Sequence, residues 1–245
     1  MEIEGCIALV TGANRGLGRA YTQALLAAGA AKVYAAARDP SAIVDSGLIP
    51  IKLDVTRPDD IAAAAAQCGD VNILVNNAGI MHGSPMLADG AEAAMRHEME
   101  VNVYGVLGMV RAFAPVLARN RGGALVNVLS VVSWFTVPFN ATYCASKHAA
   151  LAVTDAVRIQ LKAQGTRVLG VFAGYIDTDM TADLNRPKTS PRQVAECTLQ
   201  GIRMGQDHVL ADDRARQVWH AMRADPAELA AGMQKLWDDS LRSPA

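Results

Sequence analysis

Thr11-Gly12-Ala13-Asn14-Arg15-Gly16-Leu17-Gly18 follows an apolar run, Cys6–Val10, and opens a helical pattern, Gly16–Ala28, that stops at Gly29. The three glycines answer three different demands. Gly12 supplies a tight turn, Gly16 lets the backbone approach a pyrophosphate, and Gly18 lets the helix pack on the strand. The free N–H groups and the positive dipole end of the helix then favour a phosphate. Glycine spacing alone is a weak signal, and an ordinary turn in an α/β fold is the alternative. Context adds weight, because the fourth apolar run, Val71–Val75, ends in Asn76-Asn77-Ala78-Gly79.

Outward from this turn, short β-rich runs alternate with helical stretches. Strands are expected at Cys6–Val10, Lys32–Ala36, Ile49–Leu53, Val71–Val75, Ala124–Leu129, Val168–Phe172 and His208–Leu210. Helices are expected from Pro58 to about Gln67, over Ala91–Arg119 with a break near Gly105–Gly108, over Thr142–Ala163 and Pro191–Met204, and on to about Asp238. Strands this apolar, spaced by helices, imply a parallel sheet buried on both faces. The expected fold is α/β, a single-domain Rossmann-like doubly wound parallel sheet of about seven strands with helices on both faces, spanning 1–245. About 179–245 would supply a substrate flap, the last strand and C-terminal helices. In such a sheet, ligands bind outside the carboxyl ends of the strands, and every motif here follows a strand end.

Composition narrows the classes. The 245 residues are 51% hydrophobic with a formal net charge of −1, so no basic surplus points to nucleic acid or an anionic membrane surface. Cys6, Cys68, Cys144 and Cys197 are far apart and form no C-x-x-C pair. That argues against a disulfide framework or metal knuckle and for a reducing, cytoplasmic setting. His82, His97, His148, His208 and His220 have no ligand spacing, so no metal is expected. The N-terminus lacks a signal-peptide pattern, and no run of 18 apolar residues suggests a membrane span.

Tyr143 and Lys147 stand four residues apart in Tyr-Cys-Ala-Ser-Lys, and Ser130 lies thirteen residues before the tyrosine. One helical turn, about 6 Å along the axis, would put both side chains on one face. With Thr-Gly-x-x-x-Gly-x-Gly, the chain resembles the short-chain dehydrogenase/reductase family from the first strand to about Met180. The resemblance implies hydride transfer between a nicotinamide cofactor and a carbonyl or alcohol. It implies that Tyr143 exchanges the proton with the substrate oxygen, that Lys147 lowers the phenol pKa and holds the nicotinamide ribose, and that Ser130 hydrogen-bonds the substrate oxygen. Asn102 matches the asparagine that positions a water. Ser133 is the alternative serine, but the spacing favours Ser130. Cys144 is read as packing. An exposed helix pair beside a strand terminus is the bland alternative.

The cofactor set implied by the resemblance is Gly12, Asn14, Arg15, Gly16, Leu17, Gly18, Arg38, Asp54, Val55, Asn77, Ala78, Gly79, Tyr143, Lys147, Gly174, Ile176 and Thr178. NAD-selective relatives place an aspartate near Ala36 or Ala37, where it accepts from the ribose 2′-hydroxyl. Here Arg38 follows instead and can fork onto a 2′-phosphate, with Arg15 as the second basic position and Asp39 expected to point away. NADP(H) is therefore the expected cofactor. One departure stands out: Ala173 precedes Gly174 where the family usually has proline, and loss of a fixed φ should loosen that turn.

Trp134, Phe135, Val137 and Phe139, with Met81, suggest an apolar ketone or aldehyde pocket, the segment 181–191 acting as a mobile flap. Imine or carrier-bound ketoacyl substrates, and a non-catalytic NADP-binding sensor, are the other readings. Small residues and few charges along Ala91–Arg119 and Thr142–Ala163 suggest a homodimer or homotetramer. The stretch after about Asp225 is less typical of the family.

Overall fold

In the computed structural model, which describes residues 1–242, seven parallel strands form one sheet in the order β3-β2-β1-β4-β5-β6-β7. They are β1 (Ile7–Thr11), β2 (Lys32–Ala37), β3 (Leu48–Lys52), β4 (Ile73–Asn76), β5 (Gly123–Val128), β6 (Thr166–Phe172) and β7 (His208–Leu210). The direction of winding reverses between β1 and β4, so the crevice at their carboxyl ends is the switch point at which such folds bind ligands.

The strands alternate, but both faces are apolar. Ala8 and Val10 of β1 join Val75, Val126 and Val171 in one cluster, while Leu9, Leu74 and Leu125 belong to another. The first face is covered by α1 (Gly16–Ala27) and α6 (Pro191–Met204), through Tyr21, Leu25, Val194 and Ile202. The second is covered by α2 (Pro58–Gln67), α4 (Val106–Arg119) and α5 (Ala141–Leu161), through Ile61, Met109, Phe113 and Val157. Helices on both faces remove the sheet from water and explain why the strands read as continuous apolar runs. Pro50 lies in β3, an edge strand, where a missing N–H costs least.

Two expectations change. Ala91–Arg119 does not break: α3 (Ala91–Met99) passes through a wide π-helical stretch, Glu100–Gly105, into α4. Gly105 is tolerated there because Val55 fills the space a side chain would take, its Cγ2 standing 2.8 Å from the Cβ position. This continuous helix is long and apolar enough to cross a membrane by length and composition, but half of its apolar window is buried inside the protein, as a core helix would be. The C-terminal stretch is two helices, α7 (Asp213–Ala224) and α8 (Pro226–Arg242), separated at Asp225, whose extended backbone precedes a proline. Residues 243–245 of the expected C-terminal range lie outside the described residues.

Candidate active site

Main-chain geometry shapes the switch point. Gly12 has φ +64° and Gly16 φ +53°, conformations that favour glycine. Gly18 has φ in the ordinary range, yet a Cβ there would overlap the carbonyl oxygen of Gly12 and crowd Asn77 Nδ2 at 2.6 Å. Thr11, which is buried, ties the ends of β1 and β4 together: its Oγ1 accepts from Asn77 N and Ala78 N, both at 2.9 Å. Asn77 returns the link by donating from Nδ2 to Thr11 O at 2.9 Å. Gly16 lies against Thr178, whose Cγ2 is 3.2 Å from the position of a Cβ, so the glycine turn and the loop after β6 face each other. Asn14 and Leu17 belong to the same turn, and Leu17 is buried in the core.

Asp54 accepts from Thr56 N at 3.0 Å and Thr56 Oγ1 at 2.8 Å. Burial raises its pKa, but these bonds and the charges of Arg38 and Arg57 outweigh burial and hold the carboxyl below its usual range. Arg38 is exposed beyond the buried Ala35–Ala37 and makes no hydrogen bond or ion pair among the described residues. Asp39 instead caps the following turn, accepting from Ser41 N at 3.0 Å and Ser41 Oγ at 2.7 Å. Arg15 donates to Asp179 at 2.8 Å, bridging the glycine turn and the loop after β6. Both side chains are about 70% exposed, at 70% and 72%. Such a pair contributes at most about 1 kcal/mol, so it does not hold Arg15 away from an anion.

Ser130, Tyr143 and Lys147, the candidate reacting residues, lie where α5 packs against the turn that follows β5. Ser130 precedes that turn, half-buried, and its Oγ accepts only a long bond, 3.3 Å, from Val132 N. Ser133 is buried, and its hydroxyl accepts from Ser130 N, so Ser130 is the more open of the two serines. Lys147 is buried, its Nζ donating to Val128 O at 2.9 Å and lying 5.6 Å from the centre of the Tyr143 ring. Burial lowers the Lys147 pKa to about 8. The Tyr143 phenol is raised, not lowered: burial dominates, with further upward pushes from Cys144 and Glu98. Lys147, itself desolvated, does not offset that rise in the protein alone.

Asn102 sits on the π-helical stretch with its side chain fully used. Nδ2 donates to Ile80 O at 2.9 Å and Ser146 Oγ at 3.0 Å, and Oδ1 accepts from Ile80 N at 2.9 Å. Ser146 in turn donates to Tyr143 O at 2.8 Å. Asn102 thus braces both the segment after β4 and the helix carrying Tyr143 and Lys147. Any water it positions must be held by its main chain, where the wide turn loosens the ladder of hydrogen bonds. Cys144 faces Val137, whose N donates to Sγ at 3.4 Å, in keeping with a packing role.

The loop after β6 is fixed, contrary to expectation. Val131 N donates to Ala173 O at 3.0 Å, and Gly174 N donates to Asp212 Oδ2 at 2.8 Å. Asp212 is buried, also accepts from Thr189 Oγ1 at 3.1 Å, and caps α7 by accepting from Ala215 N at 2.7 Å. One carboxylate therefore pins the turn, the far end of the flap and a helix start, replacing the stiffness that proline would give. Ile176 and Thr189 pair as a β-bridge, and Thr181 is buried, so the exposed part of the expected flap is 182–187 together with Ser190.

A groove of about 450 Å³ is lined by Trp134, Phe135, Met222, Met233 and Trp237 among others, while Val137, Phe139 and Met81 of the expected apolar pocket are not in its lining. The aromatics also pack: Trp134 stacks on Phe172 at 4.0 Å, and Phe139 meets Trp237 at 5.3 Å. The far wall of the groove comes from α7 and α8.

Sequence reading missed Glu98, Asp212 and the buried chain Asn76–Asn127–Thr154, with bonds of 2.9 and 3.0 Å, that crosses from β4 through β5 to α5. A polar residue in an apolar run was the available signal for the asparagines. Nothing local marked Asp212.

The chain matches the short chain dehydrogenase family profile over residues 6–189. It is 33% identical over 195 residues to a 3-oxoacyl-[acyl-carrier-protein] reductase FabG of Vibrio cholerae, covering 76% of this chain and 79% of that one. It is 32% identical over 240 residues to 1-deoxy-11-beta-hydroxypentalenate dehydrogenase of Streptomyces exfoliatus, covering 92% and 82%. Against the mouse dehydrogenase/reductase SDR family member 7B, at 30% identity over 198 residues, it spans 61% of the relative's length. Among solved structures, a short chain dehydrogenase from Burkholderia cenocepacia in complex with NADP superposes with a TM-score of 0.92 at 40% identity, covering 95% of this chain and 99% of that one. The glycine cradle and Ser130 follow strand ends, Tyr143 and Lys147 lie on α5 beside them, the fold is shared with the solved relative, and the chain belongs to the short chain dehydrogenase/reductase family of oxidoreductases.

Proposed function

We propose that the protein reduces an apolar ketone or aldehyde to the alcohol, reversibly, with NADPH. The observation that carries this reading is the convergence of Ser130, Tyr143 and Lys147 beside the glycine cradle. The cradle fits a dinucleotide: side chains are missing at Gly12, Gly16 and Gly79, where a Cβ would stand 3.1–3.2 Å from Ala78, Thr178 and Asn102. Gly12, Gly16 and the first turn of α1 would hold the pyrophosphate, Asp54 and Val55 the adenine, and Gly174, Ile176 and Thr178 the carboxamide. Arg38 would hold the 2′-phosphate. The solved relative with NADP supports that choice.

Bound NADPH would supply the hydride. Ser130, whose hydroxyl proton is free of the Val132 contact, donates to the substrate oxygen and orients it. Tyr143, kept protonated by burial, is in the form needed to donate a proton during reduction. Lys147 spends one donor on Val128 O and has others for the ribose hydroxyls; its ammonium stabilises the phenolate as the proton leaves. The groove between Trp134 and Trp237 suits an apolar substituent.

A second reading, reduction of a carrier-bound ketoacyl group, is favoured by the FabG relative. NADPH oxidation measured against aryl and alkyl ketones, aldehydes, imines and ketoacyl thioesters separates these. Best turnover on an aryl or bulky alkyl ketone is expected, and preference for sugars or free keto acids would sink the apolar assignment. Assembly as a homodimer or homotetramer through the α3–α4 and α5 helices is supported by Tyr104 and Ile159, exposed at 57% and 77% on those elements. Light scattering that gave only the monomer mass at micromolar concentration would contradict it.

A further inference from the structure

α8 buries none of its side chains fully, yet one of its faces is apolar. Leu229, Met233 and Trp237 recur every four residues with Ala230 beside them, which on a helix makes a single stripe. From Leu229 to Trp237, at about 1.5 Å of rise per residue, the stripe runs for about 12 Å. It forms the outer wall of the 450 Å³ groove, whose inner wall includes Trp134 and Phe135. Thr136 and Gln234 supply polar side chains to the lining. Small-molecule sites are apolar clefts of about 300–1,000 Å³ with a few polar groups, and this groove has that size and character. Its inner wall is continuous with the reacting centre. Ser130 caps the helical turn Val131–Ser133, and Trp134 closes it. Pro138 opens the turn Pro138–Asn140, which runs into α5 and so to Tyr143 and Lys147. Tyr143, Trp134 and Met233 pack against the same apolar cluster. The outer wall has its own anchors. Asp225, extended between α7 and α8, accepts from Ala227 N at 2.9 Å and Glu228 N at 3.1 Å, which fixes the first turn of α8. Towards the other end, the ring of Trp237 meets Phe139 at 5.3 Å.

We propose that α8 is the wall that reads the length of the substrate: Met233 and Trp237 hold an elongated apolar substituent, such as an alkyl chain, against Trp134 and Phe135 while its carbonyl lies at Ser130 and Tyr143. This rests on the proposed reduction of a ketone or aldehyde and names the shape that reaction selects. A stripe about 12 Å long matches an extended group better than a compact one. The side chains proposed for assembly, Tyr104 and Ile159, stand on other elements, which leaves the groove to the substrate.

The test is kcat/KM with NADPH over a series of methyl ketones of increasing chain length. Each added methylene should raise it about fourfold until the groove is full. Ala230→Phe fills the groove from an exposed position, so the helix keeps its packing, and the ratio of longest to shortest ketone should fall by about 10-fold or more. Trp237→Ala removes part of the outer wall and should lower the same ratio by about 10-fold. Lys235→Ala, on the same helix but outside the lining, should leave the ratio at its wild-type value. Binding is read apart from turnover. The three tryptophans, Trp134, Trp219 and Trp237, lie in the groove or against it. Their emission should respond to the longest ketone in the presence of NADP⁺, where no hydride can be delivered. A wild-type series that is flat with chain length overturns the proposal, and so does a ratio that both Ala230→Phe and Trp237→Ala leave unchanged. Loss of an oligomer in Ala230→Phe, seen by light scattering, would assign the groove to a second copy and overturn it too. Long-ketone binding that is lost in Ala230→Phe, with no NADPH-linked turnover of any ketone, would keep α8 as a ligand wall and refute the proposed function instead.

Discussion

The carboxyl ends of β1 and β4 are built from glycine main chain and its immediate neighbours, whereas the turn after β6 is held by a side chain that arrives from beyond β7. At β1, the turn can close on its neighbours because Gly12, Gly16 and Gly18 have no Cβ, and Thr11 and Asn77 lock the two strand ends, each side chain bonding to the other's main chain. At β6, Ala173 has no fixed φ, and the turn is held by Asp212, thirty-eight positions from Gly174. In the first region Gly18 leaves no room for an added atom, and Gly12 and Gly16 leave little. The second tolerates substitution wherever another contact takes over. Backbone geometry gives a site that is rigid and written locally; borrowed side chains give one that can drift while keeping its shape.

The largest expected effect follows from the first region. Gly18→Val drives a branched side chain into Gly12 O and Asn77. It should weaken NADPH binding by at least about 100-fold or prevent folding, since overpacking against backbone has no cheap relief. A Gly18→Val protein with wild-type cofactor affinity and melting temperature would break the claim that main chain sets this site.

Arg38→Ala comes next. A hydrogen bond to a charged group contributes about 1.5–3 kcal/mol, so NADPH affinity should fall about 10- to 150-fold while NADH affinity stays unchanged. Equal losses for both cofactors would show that Arg38 does not read the phosphate.

In the second region, Asp212→Asn keeps an oxygen to cap α7 but gives up one acceptor for Gly174 N and Thr189. A loss of about 10-fold in kcat/KM is expected, equivalent to one ordinary hydrogen bond of about 1.4 kcal/mol. Ala173→Pro in that background should restore part of it by fixing φ. If Asp212→Asn were kinetically silent, the contrast between the two regions would be lost. The smallest effect is a control on glycine itself: Gly232 in α8 has nothing within 4 Å of a Cβ, so Gly232→Ala should raise stability by about 0.5–1 kcal/mol in urea unfolding. Destabilisation there would mean that α8 is packed more closely than its exposure suggests.

Legibility in the sequence follows the same division. The doubly wound parallel sheet of about seven strands was readable because both faces of every central strand are apolar, and the glycine turn and Tyr143–Lys147 pair are contiguous motifs. The bulge at Glu100–Gly105 was read as a break, because Gly105 and Gly108 signal weakness but not that Val55 fills the gap. The Ala173 turn was read as loose, because its clamp comes from after β7. The burial around Tyr143 and Lys147 was not legible, because a Tyr-x-x-x-Lys spacing shows the cation but not what desolvates both groups. Glu98 escaped notice inside a charged-looking run, Arg96-His97-Glu98, in which only folding reveals which member is buried.

The central claim, that Tyr143 delivers the proton at a centre built with Ser130 and Lys147, is tested most directly by Tyr143→Phe. Single-turnover NADPH oxidation with the best ketone of the panel should fall by about 10²–10⁴-fold, the range for a lost general acid, while NADPH binding by fluorescence titration is unchanged. Retention of even a tenth of wild-type turnover, with cofactor bound normally, would contradict it.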